Sequence, residues 1–230
     1  MSKKIIIISV AVFLILAAGG FCLYKNNLLP FVGDKLTPEK LLASFENKNP
    51  NLSAETFRLF QERFNETKDA LQKNADNFDR WLYLGVLKKG IGDYEGARDV
   101  FIYAGQIRPK SSTPFANLAD LYAYFLNEPQ KAEASIKQAI ANAPNDYSLY
   151  LSLADIYRYK FDDGADKYEQ VMLEAIAKLP DNANLIAPLA AFYRDANQAA
   201  KAIEWYEKLA KLLPDNAEVK KDLAELKAKQ

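Results

Sequence analysis

Carboxylates are the abundant acid–base groups of this chain: its 230 residues hold 30 Asp plus Glu and no histidine. The lack of histidine excludes Ser-His-Asp and Cys-His catalysis, imidazole proton transfer, and His-ligated zinc or haem. A single cysteine excludes an intrachain disulfide, a CxxC redox pair and cysteine-built zinc or iron–sulfur sites. The acidic pairs have no basic or metal partner at diagnostic spacing, so no catalytic carboxylate is assigned. Gly90-Ile91-Gly92-Asp93-Tyr94-Glu95-Gly96 has glycines enough for a phosphate loop. It follows a helical pattern instead of a strand, and its spacing is wrong for a dinucleotide fingerprint, so it reads as a turn between helices. Asp162-Asp163-Gly164-Ala165-Asp166 lacks the alternation and closing Glu of a calcium loop and reads as a solvated turn. Asn51-Leu52-Ser53 and Asn65-Glu66-Thr67 match the glycosylation sequon, which matters only in a eukaryotic secretory pathway. These residues point away from catalysis, metal and cofactor. The expectation is a non-enzymatic protein with no cofactor and no small-molecule substrate.

Thirty Lys plus Arg balance the acidic residues, for a formal net charge of zero. Residues 1–36 hold four lysines and Asp34, a net of +3; the remainder holds 26 basic and 29 acidic residues, a net of −3. A body that is near neutral and slightly acidic argues against binding nucleic acid or anionic lipid through it.

The elements that would position any working residue begin with an apolar run. Ile5 to Tyr24 (IIIISVAVFLILAAGGFCLY) carries no charge. Twenty residues at ~1.5 Å each span ~30 Å, the hydrocarbon thickness of a bilayer. No polar stripe marks it as a buried helix of a soluble domain. Lys3 and Lys4 place the short tail 1–4 in the cytoplasm and the bulk of the chain outside it, giving a signal anchor in a cell (inner) membrane. Small residues at Ala17 to Gly20 leave open a cleaved signal peptide, although the run continues through Phe21, Cys22 and Leu23. Cys22 follows Phe21 where a lipoprotein signal needs a small side chain, so it reads as a small hydrophobe in lipid.

Residues 25–52 read as a linker with a short helix at Thr37-Pro38-Glu39-Lys40, broken by Asn47 to Asn51. Residues 53–77 hold a leading helix from Ser53 to about Lys73, striped by Phe57, Phe60, Phe64 and Leu71. From Phe78 a period emerges. Pro109, Pro144, Pro180 and Pro214 are spaced 35, 36 and 34 residues apart. Each follows an apolar-periodic helix, and Asn145, Asp181 and Asp215 then mark new helix starts. No segment alternates with a period of two, so no strand is expected.

Within each period large and small residues recur in register: Trp81, Leu84, Gly85, then Ala97, Phe101, Ala104; Phe115, Leu118, Ala119, Tyr122, then Ala132, Ile136, Ala139; Tyr150, Leu153, Ala154, Tyr157, then Tyr168, Met172, Ala175; Ile186, Leu189, Ala190, Tyr193, then Ala202, Tyr206, Leu209. This pattern resembles the tetratricopeptide repeat (TPR), a 34-residue helix–turn–helix unit. Lys88 departs from it where the motif has Tyr. The resemblance covers residues 78–216 as four repeats, 78–111, 112–146, 147–182 and 183–216. It implies an all-α solenoid of helical hairpins, closed by a capping helix at 217–230 whose Lys220, Lys221, Lys227 and Lys229 give it a polar outer face.

Stacked repeats present their first helices on a concave surface. Beside the core stripe that face carries Leu82, Val86 and Lys89; Ala116, Asp120, Ala123 and Tyr124; Leu151, Asp155, Arg158 and Tyr159; Ala187, Ala191 and Arg194. Such a mixture suits an extended peptide or a partner helix. Some family members clamp a carboxyl-terminal carboxylate on these helices. Here the equivalent places hold Leu82, Val86, Asn117, Asp120 and Asp155, whose acids would repel an anionic chain end. Inserts near Tyr124 to Pro129 and Tyr159 to Gly164 add aromatics between paired helices. The chain resembles bacterial membrane-anchored TPR proteins, which implies a scaffold or assembly factor with a protein or peptide ligand. A cytosol-facing import receptor and a non-catalytic domain of a membrane enzyme complex are the alternatives.

Overall fold

A computed structural model describes residues 36–228. The tail at 1–4, the proposed anchor Ile5 to Tyr24 and Lys229 lie outside the described residues. Among those described, no helix is long and apolar enough to cross a membrane. The described chain is helices and turns with no strand. It divides into two compact units between Ile107 and Arg108.

The first unit holds α1 (Pro38–Leu41), α2 (Ala54–Lys73), α3 (Phe78–Gly90) and α4 (Tyr94–Ile107). Side-chain oxygens of Thr37, Ser53 and Asn77 accept the free amide hydrogens of Lys40, Thr56 and Arg80, which starts α1, α2 and α3. Its core joins Leu71 of α2, Trp81 and Leu84 of α3 and Val100 of α4 to Leu41, Leu42 and Phe45. Phe45 stacks on Phe64 with ring centroids 4.4 Å apart. The segment expected as a linker therefore supplies buried core. Its apolar side chains find a cover on α2 and α3 that spacing alone does not reveal.

Lys88 fills the place of the motif tyrosine, and it is buried at 4% exposure. Its ammonium donates to Asp93 Oδ2 and to the Ser44 carbonyl, each at 3.0 Å. Lys48 donates to Asp93 Oδ1 at 2.6 Å, and the Lys48 amide donates to the Ile91 carbonyl at 2.8 Å. A buried carboxylate bridging two lysines thus clasps residues 44–48 to the α3–α4 turn. Burial works to raise the Asp93 pKa, but the hydrogen bonds from Lys48 and Lys88 outweigh it and hold the carboxyl below its usual value. The glycine-rich stretch 90–96 is that turn.

The second unit holds α5 (Thr113–Tyr124), α6 (Pro129–Asn142), α7 (Tyr147–Lys160), α8 (Gly164–Lys178), α9 (Ala183–Asp195), α10 (Ala199–Leu212) and α11 (Ala217–Ala228). Helices pair as α5/α6, α7/α8 and α9/α10. Each second helix packs on the next first helix, α10 packs on α11, and the first helices α5, α7 and α9 are neighbours in that order.

The repeat pattern has a local cause at each turn. Gly92, Asn127 and Asn197 take left-handed φ angles of 79°, 53° and 56°, which Gly and Asn tolerate best. The next amide, on Asp93, Glu128 or Gln198, then donates back to the carbonyl of Lys88, Tyr122 or Tyr193. New first helices are capped one residue later than expected. Asp146, Asn182 and Asn216 accept the first-turn amides, not Asn145, Asp181 and Asp215. The residue directly after each proline sits in the preceding turn, and the cap oxygen must lie two or three residues before the amide it accepts.

The bulky first-helix residue also secures the turn before it where it carries a donor. Trp81 Nε1 donates to the Ala75 carbonyl at 2.7 Å, and Tyr150 Oη to the Pro144 carbonyl at 2.8 Å. The motif tyrosines bind backward one repeat: Tyr157 donates to Glu133 at 2.8 Å and Tyr193 to Glu169 at 2.7 Å.

Candidate partner-binding face

A helix buries the stripe its apolar period defines and leaves the adjoining stripe to solvent or a ligand. On α3 that stripe carries Leu82, Val86 and Lys89. Leu82 packs against the core of the first unit, Lys89 is half-buried, and Val86 stands out at 49% exposure. Leu82 is spent on packing, because α3 turns its side chain onto the core cluster.

In the second unit the expected residues gather on α5 and α7. Ala116, Asp120 and Leu151 are half-buried, and Asp155 and Arg158 keep contact with solvent. Tyr124 and Tyr159 are exposed at 45% and 64%. Ala123 is fully buried and leaves the face, because its small side chain lies on the seam. The Tyr124 phenol is pushed up by burial and then by the charges of Asp155 and Asp120 and by Tyr159, so these four groups share one neighbourhood. Lys160 lies over the Tyr124 ring, 4.9 Å from its centroid. Packing around the Asp155 carboxyl raises its pKa, with Arg158 opposing.

Arg158 is engaged with rings on three helices. Its guanidinium carbon lies 5.7 Å from the Tyr159 centroid, 5.4 Å from Tyr168 on α8 and 5.8 Å from Phe192 on α9. Tyr168 and Phe192 have centroids 4.7 Å apart. Neither residue was expected on this face. The available signal was Tyr168 itself, which stands where the other repeats place Ala97, Ala132 and Ala202.

Arg194 is engaged within the chain. Its Nη1 donates to Asp222 Oδ2 at 2.8 Å and to Tyr206 Oη at 2.9 Å, and its Nε donates to Asp195 at 3.1 Å. This network ties α9 and α10 to α11, and a bidentate guanidinium suits that bracing role. Ala187 and Ala191 are half-buried beside it. Among the described residues no group of three or more Asp, Glu or Cys gathers to hold a metal ion. The arrangement offers aromatic faces, two carboxylates and half-buried apolar side chains, which are means of binding.

The protein MamA has a solved structure that superposes with a TM-score of 0.55 at 18% identity, covering 71% of this chain and 94% of that one. PilW, a widely conserved type IV pilus biogenesis factor, gives 0.53 at 18% identity, covering 74% and 80%. Both are TPR proteins. The chain has the tetratricopeptide-repeat fold. A TPR fragment of MamA from Desulfovibrio magneticus RS-1, residues 41 to the end, gives 0.52 at 19% identity, covering 81% of this chain and 99% of that one. By sequence, Protein O-mannosyl-transferase TMTC3 of Mus musculus is 26% identical over 169 residues, 67% of this chain and 18% of that protein. The chain thus spans under a fifth of the length of that TPR-containing relative. No protein-family model matches the chain.

Proposed function

We propose that this TPR chain is a membrane-anchored scaffold or assembly factor that holds a segment of another protein against the α5–α7 face and performs no catalysis itself. The observation that carries the reading is the clustering of two exposed tyrosines with Asp120 and Asp155 on neighbouring first helices. Exposed aromatics rimmed by polar groups are the usual anchors of protein recognition. The apolar run Ile5 to Tyr24 would hold the chain in the inner membrane, and Lys3 and Lys4 support an orientation with the repeats outside the cytoplasm.

Two experiments test the proposal separately. Protease shaving of intact spheroplasts should digest the repeats, and protection would refute the orientation. Crosslinking in membranes followed by affinity purification tests the face. Tyr124→Asp plus Tyr159→Asp should lose a partner that Leu173→Asp, an exposed site on α8, retains. Equal recovery from both variants would refute binding at this face.

A further inference from the structure

We infer that the fourth repeat and α11, residues 183–228, swing as one body on the 179–182 turn, and that Arg158 is the clasp that closes them onto the third repeat. This conformational device goes beyond the proposed function and does not rest on it.

The turns that lead into the first helices are not tied alike. In the third repeat Tyr150 Oη donates to the Pro144 carbonyl at 2.8 Å, and Lys178 Nζ donates to Tyr150 Oη at 3.4 Å. In the second, Phe115 has no donor, and Asn142 supplies one from the place that Lys178 fills in the third. Its Nδ2 donates to the carbonyls of Pro109 and Ser111, each at 2.9 Å. The fourth repeat puts Ile186 and Leu212 in these two places. Neither side chain can donate, so the Pro180 carbonyl goes without this bond.

The seam beside that turn is also shallow. α8 meets α9 over less of its length than α6 meets α7 or α10 meets α11. The cause is Tyr168, a buried ring standing where the neighbouring repeats have Ala132 and Ala202. A large side chain at the contact sets two helices further apart. Tyr168 stacks on Phe192 of α9, centroids 4.7 Å apart, and the Arg158 guanidinium of α7 covers both rings at 5.4 and 5.8 Å. Such a cation–ring contact closes a hinge without locking it.

Each side of the seam is braced within itself. Arg194, Tyr206 and Asp222 tie α9 and α10 to α11, and Lys227 of α11 pairs with Glu207 of α10 at 2.6 Å. Across α6 and α7 the tied turns are joined by the bond from Tyr157 to Glu133. Two braced bodies joined by an untied turn and a shallow seam make a hinge. The moving body carries α9, a neighbour of α7, so its swing sets the gap between those two first helices.

The test is double electron–electron resonance on the full-length chain in detergent micelles, with Cys22→Ser removing the one native cysteine. Spin labels on cysteines replacing exposed Asp166 and Lys211 span the hinge. Labels replacing exposed Gln130 and Ala177 hold the same register one repeat earlier and span a tied turn. The 166/211 pair should show two distances and the 130/177 pair one, a comparison that alters no residue of the seam. Arg158→Ala should at least double the longer 166/211 population. Leu212→Asn, which offers Pro180 the donor that Asn142 gives Pro109, should shrink it. Neither variant should change the 130/177 pair. Circular dichroism and the melting midpoint verify that each variant is folded. A single 166/211 distance, as narrow as that of the 130/177 pair and unmoved by Arg158→Ala, overturns the hinge. Two distances whose proportions ignore Arg158→Ala overturn the clasp.

Discussion

Gly85 offers a quantitative test of how the hairpins nest. A Cβ built on it would lie 2.7 Å from Phe101 Cδ1 and Cζ and nearer still to Cε1. Carbon atoms pack without strain at ~3.5–4.0 Å, so Gly85→Ala forces an overlap of roughly one ångström. Phe101 is fully buried and cannot retreat. Overpacking of this kind costs ~1–3 kcal/mol, and replacing a helical glycine by alanine returns ~1 kcal/mol. The net expectation is a loss of about 0–2 kcal/mol. Repeats two and three carry alanine here opposite smaller or more pliable residues, Ala119 with Ile136 and Ala154 with Met172, whereas the fourth sets Ala190 in register with Tyr206. Gly85→Ala should therefore be rescued by Phe101→Ile, with a coupling of at least ~1 kcal/mol in a double-mutant cycle. The assay is urea unfolding followed by Trp81 fluorescence in a Trp205→Phe background, since the chain has only those two tryptophans. If Gly85→Ala stabilises the protein, or the two changes are additive, the small-against-large account of the seam is wrong.

Other expectations follow from the polar contacts. Asp93→Asn leaves Lys88 buried without its counter-charge and should destabilise the first unit by about 3 kcal/mol, read by Trp81 fluorescence. Because the Asp93 pKa is lowered in the folded chain, its contribution is complete at neutral pH and is lost as pH falls through the folded value. The acid limb of stability should flatten in the variant. Tyr206 is pushed up to about 12 by burial and its bond to Asp222, so its contribution holds below the ordinary tyrosine value near 10 and drains away from there to about 12. Tyr206→Phe should reduce the alkaline loss, read from Trp205. Arg194→Ala should loosen α11, cost about 1 kcal/mol given its partial exposure, and leave partner capture unchanged, measured by limited proteolysis of the carboxyl-terminal helix and by pull-down.

The hairpin architecture was legible because it is written in side-chain volume. A proline after every second helix and a small residue opposite a bulky one recur at nearly constant spacing, and both act locally. What stayed hidden depends on partners distant in sequence. Lys88 looks like a defect in the motif until Asp93 and the backbone of Ser44 surround it. Leu42 and Phe45 look like linker until Phe64 covers them. Arg194 has the same spacing as a groove residue, yet Asp222, 28 positions on, takes its charge. The candidate face was half visible: helical spacing placed Tyr124, Asp155 and Tyr159 on one side. The roles of Tyr168 and Phe192 needed the packing of α8 against α9.

The most direct test of the account is a photocrosslink from the face itself. A benzophenone amino acid at position 159, in the chain expressed in its native cells, should yield adducts to one polypeptide, mapped by mass spectrometry to a single segment of it. Those adducts should vanish with Tyr124→Asp and be absent from the same probe at position 173. Identical adducts from positions 159 and 173 would contradict the claim that this face of the repeats is where a partner is held.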